Sequence, residues 1–174
     1  MILTGPRIER EWKLGRIHIE PFRPNQINPN SYDFRLGSSI KVYNRYVLDP
    51  KQRIPTTTLT IPDEGLVLMP GRIYLAHTVE IMGSDYFVPI IRAKSSIARL
   101  GLFVHVTADL IDIGSHNQWT LQLNPVQAVR VYANMRVGQV TFWKVLGKIV
   151  LYQGKYQGTR GPCESMSYKD MECA

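Results

Sequence analysis

The stretch IDIGSHNQWTLQLN, residues 111–124, decides how this chain is read. From Trp119 onward apolar and polar residues alternate. Trp119, Leu121 and Leu123 fall on one face, and Thr120, Gln122 and Asn124 on the other. That period predicts a half-buried strand entered through a turn, with Asp112 at the mouth of the turn. Gln122 is then either an ordinary polar residue on a wet face or a pocket residue standing where chemistry wants a carboxylate.

The same grammar extends in both directions. RIHIEPF, SYDFRLG, SIKVYN, TLTIP, GLVLMPG, RIYLAHTVEIM and FVPIIRA precede the stretch, and GLFVHVTADLI leads into it. AVRVYA, MRVGQVTFWKV and KIVLY follow. These segments are short, rich in β-branched and aromatic residues, and separated by prolines and glycines. Helical periodicity is nearly absent. The pattern predicts an all-β sandwich, barrel or jelly roll. A short helix is expected near the start, capped by Thr4, with Pro6 in its first turn, Trp12 on its apolar side and Gly15 ending it. There is no repeat and no linker, so residues 1–174 read as one domain. Residues 154–174, Gly-rich and polar, read as a mobile C-terminal tail.

Bulk properties narrow the function classes. Hydrophobic residues make up 44% and charged residues 20%, the balance of a globular chain. No apolar run approaches the roughly 20 residues of a membrane span. The opening MILTGPRIEREWK lacks a secretory core, so a cytoplasmic location is expected. Cys163 and Cys173 form neither a disulfide framework nor a metal-ligand pattern. The net charge of +7 suits an anionic partner. No basic run or nucleic-acid motif accompanies it, which favours a phosphorylated small molecule over a nucleic acid.

A candidate anion site lies at AKSSIARLGL, residues 93–102. Ser95 or Ser96 can cap a turn or two of helix through Ile97–Leu100, and Gly101 can stop it. Free N–H groups, two hydroxyls, Lys94 and Arg99 would together attract phosphate. A capped helix bridging two strands is the alternative use of the same residues.

KSSIARLGLFVHVTADLID, the TLQL that follows, MRVGQVTF, GKYQGTRGP, and the earlier NPNSYDFRLG resemble the dCTP deaminases, which share a fold with the trimeric dUTPases. The resemblance covers nearly the whole chain. It implies a distorted jelly roll or β-barrel with a few short helices and a homotrimer with active sites between subunits. It also implies a magnesium-bound deoxynucleoside triphosphate as ligand, with Mg2+ entering through the triphosphate and no zinc. Lys94, Ser95, Ser96 and Arg99 then match the triphosphate clamp, with Lys94 where the family writes Arg. That change keeps the charge and loses the planar two-pronged grip. Asp112 matches an Asp near the sugar. His105, Thr107 and Ala108 match a segment lining the base pocket. Thr120 and Leu121, just before the residue at 122, are expected to bind substrate with it. Lys155 matches a tail lysine that folds over phosphates, Tyr152 precedes it, and Thr159 stands where a glutamine is expected. Gln139 matches the family's GQ on a core strand.

The departure that matters is Gln122. The resemblance implies a glutamate there, the residue that takes a proton from the attacking water and returns protons to the ring and to the departing ammonia. An amide of the same shape hydrogen-bonds both ways but does not titrate. Three readings follow. One is a deaminase converting dCTP and water to dUTP and ammonia, with Asp109 or Asp112 as the nearest relocated base. Another is a dUTP or dCTP pyrophosphohydrolase using Asp112. The third is a non-catalytic deoxynucleotide-binding protein. Elsewhere, His18 and His77 read as structural, His116 as a turn residue, and His105 as either core or pocket. Asp33 reads as a structural hydrogen-bonding residue, and Trp119 packs inward or at a subunit contact. Tyr156 either docks the tail or stacks on a base, with docking preferred.

Overall fold

The computed structural model describes residues 1–105 and 107–171, so Cys173 lies outside the described residues. In chain order it contains α1 (Gly5–Lys13), β1 (His18–Glu20), β2 (Tyr32–Arg35), β3 (Ser39–Tyr43), β4 (Thr56–Thr60) and β5 (Leu66–Leu68). Then come β6 (Tyr74–Gly83), β7 (Phe87–Ala93), α2 (Ser95–Ala98), β8 (Leu102–Phe103) and β9 (Asn117–Pro125). β10 (Val129–Val131), β11 (Arg136–Lys144) and α3 (Tyr168–Met171) complete it. The all-β expectation is borne out.

The strands pair antiparallel in three sheets. The largest runs β4-β3-β6-β9-β8, with β1 sharing the β3 edge of β6. β2-β11-β7 form the second and β10-β5 the third. Their ladders do not close into one barrel, so the architecture is the jelly-roll form of the expectation. Buried side chains from all three sheets, among them Tyr32, Phe34, Leu121, Leu123, Val131 and Phe142, form one apolar cluster.

β9 shows why the alternation in its sequence has structural force. Trp119, Leu121 and Leu123 are buried, whereas Thr120 and Gln122 are only partly covered. A one-residue slip would exchange the two sets, which pins the register against β6. In that register Gln122 pairs with Leu75, and Leu75 pairs on its other side with Lys41 of β3.

β6 is irregular between His77 and Ile81, where the ladder to β9 shifts. The interrupted N–H of Trp119 is taken by Thr78 Oγ1 at 3.0 Å. The irregularity also carries Glu80 inward to β2. There Glu80 accepts from Arg35 Nε at 2.8 Å, Arg35 N at 2.9 Å and Gln26 Nε2 at 3.0 Å, which ties the two larger sheets together.

Local expectations are met unevenly. α1 begins after Thr4 with Pro6 in its first turn, but the Thr4 side chain makes no capping bond. α2 begins at Ser95 with Lys94 in the cap position, so neither serine caps it; both lie in its first turn. Gly15 and Gly101 hold φ of +69° and +74°, the left-handed conformation that ends both helices. The KIVLY segment is not a strand. Val150 there is 77% exposed, and Tyr152 N donates to Ile113 O at 2.8 Å.

Candidate functional site

The polar face of β9 is the floor of a cleft of about 520 Å³. Thr120 and Gln122 rise from the strand, and Leu75 stands beside Gln122 from β6. The segment before β9 walls one side with His105, Ala108, Leu110 and Asp112. The C-terminal segment forms the cover, with Tyr152, Tyr156, Thr159 and Glu164 facing the space. Tyr43 and Leu48 close the far side, shared with a neighbouring groove of about 650 Å³ that carries Arg45 and Arg72.

The segment expected as a mobile tail is docked over this cleft. Gln118 N donates to Thr159 O at 3.1 Å, and Thr159 N to Asn117 Oδ1 at 3.0 Å. Gly161 N donates to Gln118 Oε1 at 2.8 Å, and Cys163 N to Thr120 Oγ1 at 3.1 Å. Tyr156 OH accepts from Met166 N at 2.8 Å, the docking role expected of it. The glycines that made the segment look mobile let backbone lie flat against polar side chains of β9. Gly154 packs against the Tyr152 side chain, where a Cβ would stand 2.4 Å from the hydroxyl oxygen.

The sequence-predicted residues divide into two groups. His105, Ala108, Asp112, Thr120, Gln122, Tyr152 and Thr159 come together around the cleft. Lys94, Ser95, Ser96 and Arg99 do not line it. Ser95, Ser96 and Arg99 are exposed on α2 and just after it. Lys94 Nζ instead bonds Asp33 Oδ2 at 2.7 Å, and Asp33 is 1% exposed. Asn28 Nδ2 takes the other Asp33 oxygen at 2.7 Å. Part of the charge expected for phosphate therefore neutralises a buried carboxylate, which is the structural role read for Asp33.

Several expectations are corrected. The Leu121 side chain is fully buried in the core, because strand alternation turns it away from Gln122; only its backbone lies between the two cleft residues. Thr107 is exposed and does not line the cleft. Asp109 is paired with Arg92, which turns it from the cleft and leaves Asp112 as the carboxylate of that segment facing the space. Lys155 bonds Asp170 and lies 5.6 Å from the Tyr156 ring centroid, so its ammonium sits on the outer side of the docked segment. Asp170 raises its pKa.

The histidines read as structural have structural partners. His77 Nδ1 lies 2.9 Å from Thr78 O, and Nε2 lies 3.2 Å from Ser39 Oγ. Burial lowers its pKa. His18 stacks edge-on to His116, at 5.9 Å between centroids. His116 Nε2 meets Asp85 Oδ1 at 2.7 Å.

His105 belongs to the cleft wall. It bonds Ala108 O through Nε2, and burial lowers its pKa. With Nε2 as the donor, Nδ1 is an acceptor, and this buried atom has no partner among the described residues. Trp119 also borders the cleft, and its buried Nε1–H is unpartnered in the same sense. Buried polar groups are normally paired, so the free His105 Nδ1 at the cleft wall points to a polar ligand, whereas the Trp119 side chain belongs to the core face of β9.

The cover supplies groups that the sequence reading did not find. Glu164 faces the cleft with its side chain 18% exposed, its Oε2 bonded to Lys41 Nζ at 2.5 Å. That bond holds its carboxyl below the usual carboxylate range. Cys163 also borders the space, and burial pushes its thiol up. Tyr43 OH accepts from Ser165 N at 3.0 Å. The available signal was alternation in SIKVYN, which puts Lys41 and Tyr43 on one face of β3; nothing in the tail's composition marked Glu164.

With this geometry in view, the comparisons with known proteins agree with one another. The family model described as dCTP deaminase-like matches residues 2–145. A curated protein of Hathewaya histolytica, "dCTP deaminase, dUMP-forming", is 42% identical over 173 residues, covering 99% of this chain and all of its own length. The protein of the same name from Leptospira biflexa serovar Patoc is 43% identical over 174 residues, covering 99% of both chains. Among solved structures, the 2'-deoxycytidine 5'-triphosphate deaminase of Agrobacterium tumefaciens superposes with a TM-score of 0.64 at 23% identity. The match covers 81% of this chain and 47% of that one, and it bears on the fold alone. From the family model and from relatives similar along their full length, this chain belongs to the dCTP deaminase-like family.

Proposed function

We propose that the cleft binds the magnesium complex of dCTP and that the chain hydrolyses its 4-amino group, giving dUTP and ammonia. The observation that carries this reading is convergence. Gln122, Asp112, His105 and Thr120 meet under a docked C-terminal cover in a chain whose full-length relatives are named dCTP deaminases. The Gln122 amide reads the Watson–Crick edge of the base, and the cover excludes water from it. Mg2+ belongs to the substrate, held by its phosphate oxygens. The phosphates are gripped by Ser95, Ser96 and Arg99, with Lys94, of a neighbouring copy in a homotrimer. In support, the Ser95, Ser96 and Arg99 side chains are exposed on α2 and just after it, Lys94 before them is partly exposed, and all four lie outside the cleft of their own chain.

Gln122 sets the rate. An amide takes no proton from water, so turnover is slower by about 10²–10⁴ than a titrating group would allow. The test is ammonia release and product identity from dCTP, for the chain as it stands and for Gln122→Glu. The variant is expected to be the faster by that factor. Absence of ammonia from both refutes the deaminase reading, and binding without product from either assigns the chain to the non-catalytic class.

One observation favours a second hydrolysis. Asp112 faces the same cleft, and the relatives' printed name specifies dUMP as product, which requires loss of diphosphate as well as ammonia. Asp112 would direct water at the α-phosphorus. Asp112→Asn is then expected to abolish diphosphate release; if release from dCTP or dUTP persists in that variant, the assignment fails.

A further inference from the structure

The C-terminal segment follows β9 in step. Gly161 N meets the Gln118 side chain and Cys163 N meets the Thr120 side chain, two residues of cover for two of strand. Both contacts lie on the face that Gln122 shares. The same step brings residue 165 beside position 122, and there Ser165 N binds the Tyr43 hydroxyl while the adjacent Glu164 binds Lys41. Lys41, Leu75 and Gln122 form one row across β3, β6 and β9. Two strand spacings put the ends of that row about 10 Å apart. A carboxylate held at Lys41 and an amide at position 122 thus face one space at opposite ends, with room between them for a pyrimidine.

The two groups have different powers of discrimination. An amide turned one way offers oxygen to a 4-amino group, and turned the other way offers NH2 to a 4-oxo group. Gln122 therefore accepts cytosine and uracil alike. An ionised carboxylate accepts only. Lys41 occupies Glu164 Oε2 at 2.5 Å, while Oε1 has Arg53 at 3.7 Å, too long for a hydrogen bond. Oε1 therefore keeps acceptor capacity for a donor, on a largely buried residue that borders the cleft.

We propose that Glu164 determines base specificity: its Oε1 accepts a hydrogen bond from the exocyclic amino group of a 4-aminopyrimidine and repels the oxygen of a 4-oxopyrimidine. The assignment rests on the cleft being a deoxypyrimidine nucleotide site, and it adds to that reading the residue that tells substrate from product. It also gives the ordered cover a chemical role, because the discriminating group arrives only when the segment is docked.

The test is calorimetric titration of the full chain with dCTP and with dUTP, each with Mg2+, for wild type, Glu164→Gln, Glu164→Asp and Lys41→Met. A hydrogen bond to a charged acceptor corresponds to about a ten- to hundredfold preference, so wild type should bind dCTP tighter than dUTP by that ratio. Glu164→Gln should bring the ratio near one. Glu164→Asp, which keeps the carboxylate, should retain a preference. Lys41→Met releases the carboxylate from its anchor, so it should weaken dCTP more than dUTP and lower the ratio; a ratio unchanged there would count against the assignment. A ratio unchanged in Glu164→Gln, or near one in wild type, overturns the assignment while leaving the nucleotide site intact. If neither nucleotide binds wild type, the nucleotide reading itself falls and the assignment with it.

Discussion

Glu80→Gln probes the contact that holds the two larger sheets in register. Glu80 is fully buried, and its ion-pair partner Arg35 has a side chain only 7% exposed. Its two oxygens accept three hydrogen bonds, from Arg35 Nε, Arg35 N and Gln26 Nε2. A glutamine in that place has one acceptor oxygen. Either orientation of the amide aims NH2 at a donor, and the Arg35 guanidinium is left buried with no counterion at Glu80's place. Removing one partner of such a pair costs about 3–5 kcal/mol. For a chain of this size each kcal/mol lowers Tm by about 2–4 °C, so the variant should melt about 6–20 °C lower. Urea unfolding at fixed protein concentration checks this, with the midpoint falling and the slope unchanged. The paired variant Arg35→Met with Glu80→Leu should recover most of the loss, because the desolvation cost of both charges disappears with them. A loss below about 1 kcal/mol in Glu80→Gln would refute the reasoning, since it would mean that water or another group solvates Arg35.

Gly37 lies against the His77 ring, and a Cβ there would stand 2.2 Å from Cε1 and Nε2. Gly37→Ala should therefore cost about 1–3 kcal/mol by overpacking, read as a lower urea midpoint, and an unchanged midpoint would contradict the contact. His77 itself gives a pH dependence. Burial lowers its folded pKa below the ordinary 6.5, so as pH falls through 6.5 the unfolded chain takes a proton that the folded chain refuses. Stability should fall between pH 7.5 and 5.5, with a slope of at most about 1.4 kcal/mol per pH unit per histidine. His18 and His105 shift in the same direction, so His77→Gln should reduce the fall without removing it. A profile flat over that interval would argue against buried neutral imidazoles. The Lys41 bond to Glu164 acts in the same direction in a lower window: its contribution is present above pH 4.5 and is lost as pH drops through the lowered carboxylate pKa.

What was legible in the sequence was what repeats. Alternation in β9 placed Thr120 and Gln122 on the accessible face and Leu121 in the core before any fold was known, so a side-chain role for Leu121 contradicted the sequence's own periodicity. What was illegible had no period. The docking of residues 152–166 rests on single backbone donors meeting single side chains, as at Gly161 and Gln118 or Cys163 and Thr120. Composition reports such a segment as loose, because glycine and polar residues serve a docked backbone and a free one equally well. Asp109 and Lys155 illustrate a third kind of failure. Their residue types suited the chemistry, but nearby opposite charges, Arg92 and Asp170, had already engaged them.

The departures that the resemblance implies at positions 94 and 122, lysine where an arginine is expected and glutamine where a glutamate is expected, have one physical character. Lysine for arginine keeps the charge and gives up the bidentate fork, and glutamine for glutamate keeps the shape and gives up titration. Both retain what binding needs and weaken what a transition state needs, because proton transfer and planar gripping of developing charge matter most during reaction. If that is the logic of this cleft, the losses should appear in kcat rather than in nucleotide affinity, and restoring each group should raise kcat while leaving dCTP binding within a few-fold. Position 94 adds a constraint that position 122 lacks. Lys94 is bonded to buried Asp33, with Arg136 Nη1 3.7 Å from the same oxygen, so an arginine there must fit around both before it reaches any phosphate. Gln122 stands on an open strand face with only Leu75 beside it in the row, so Gln122→Glu meets no comparable obstacle and is the cleaner of the two restorations.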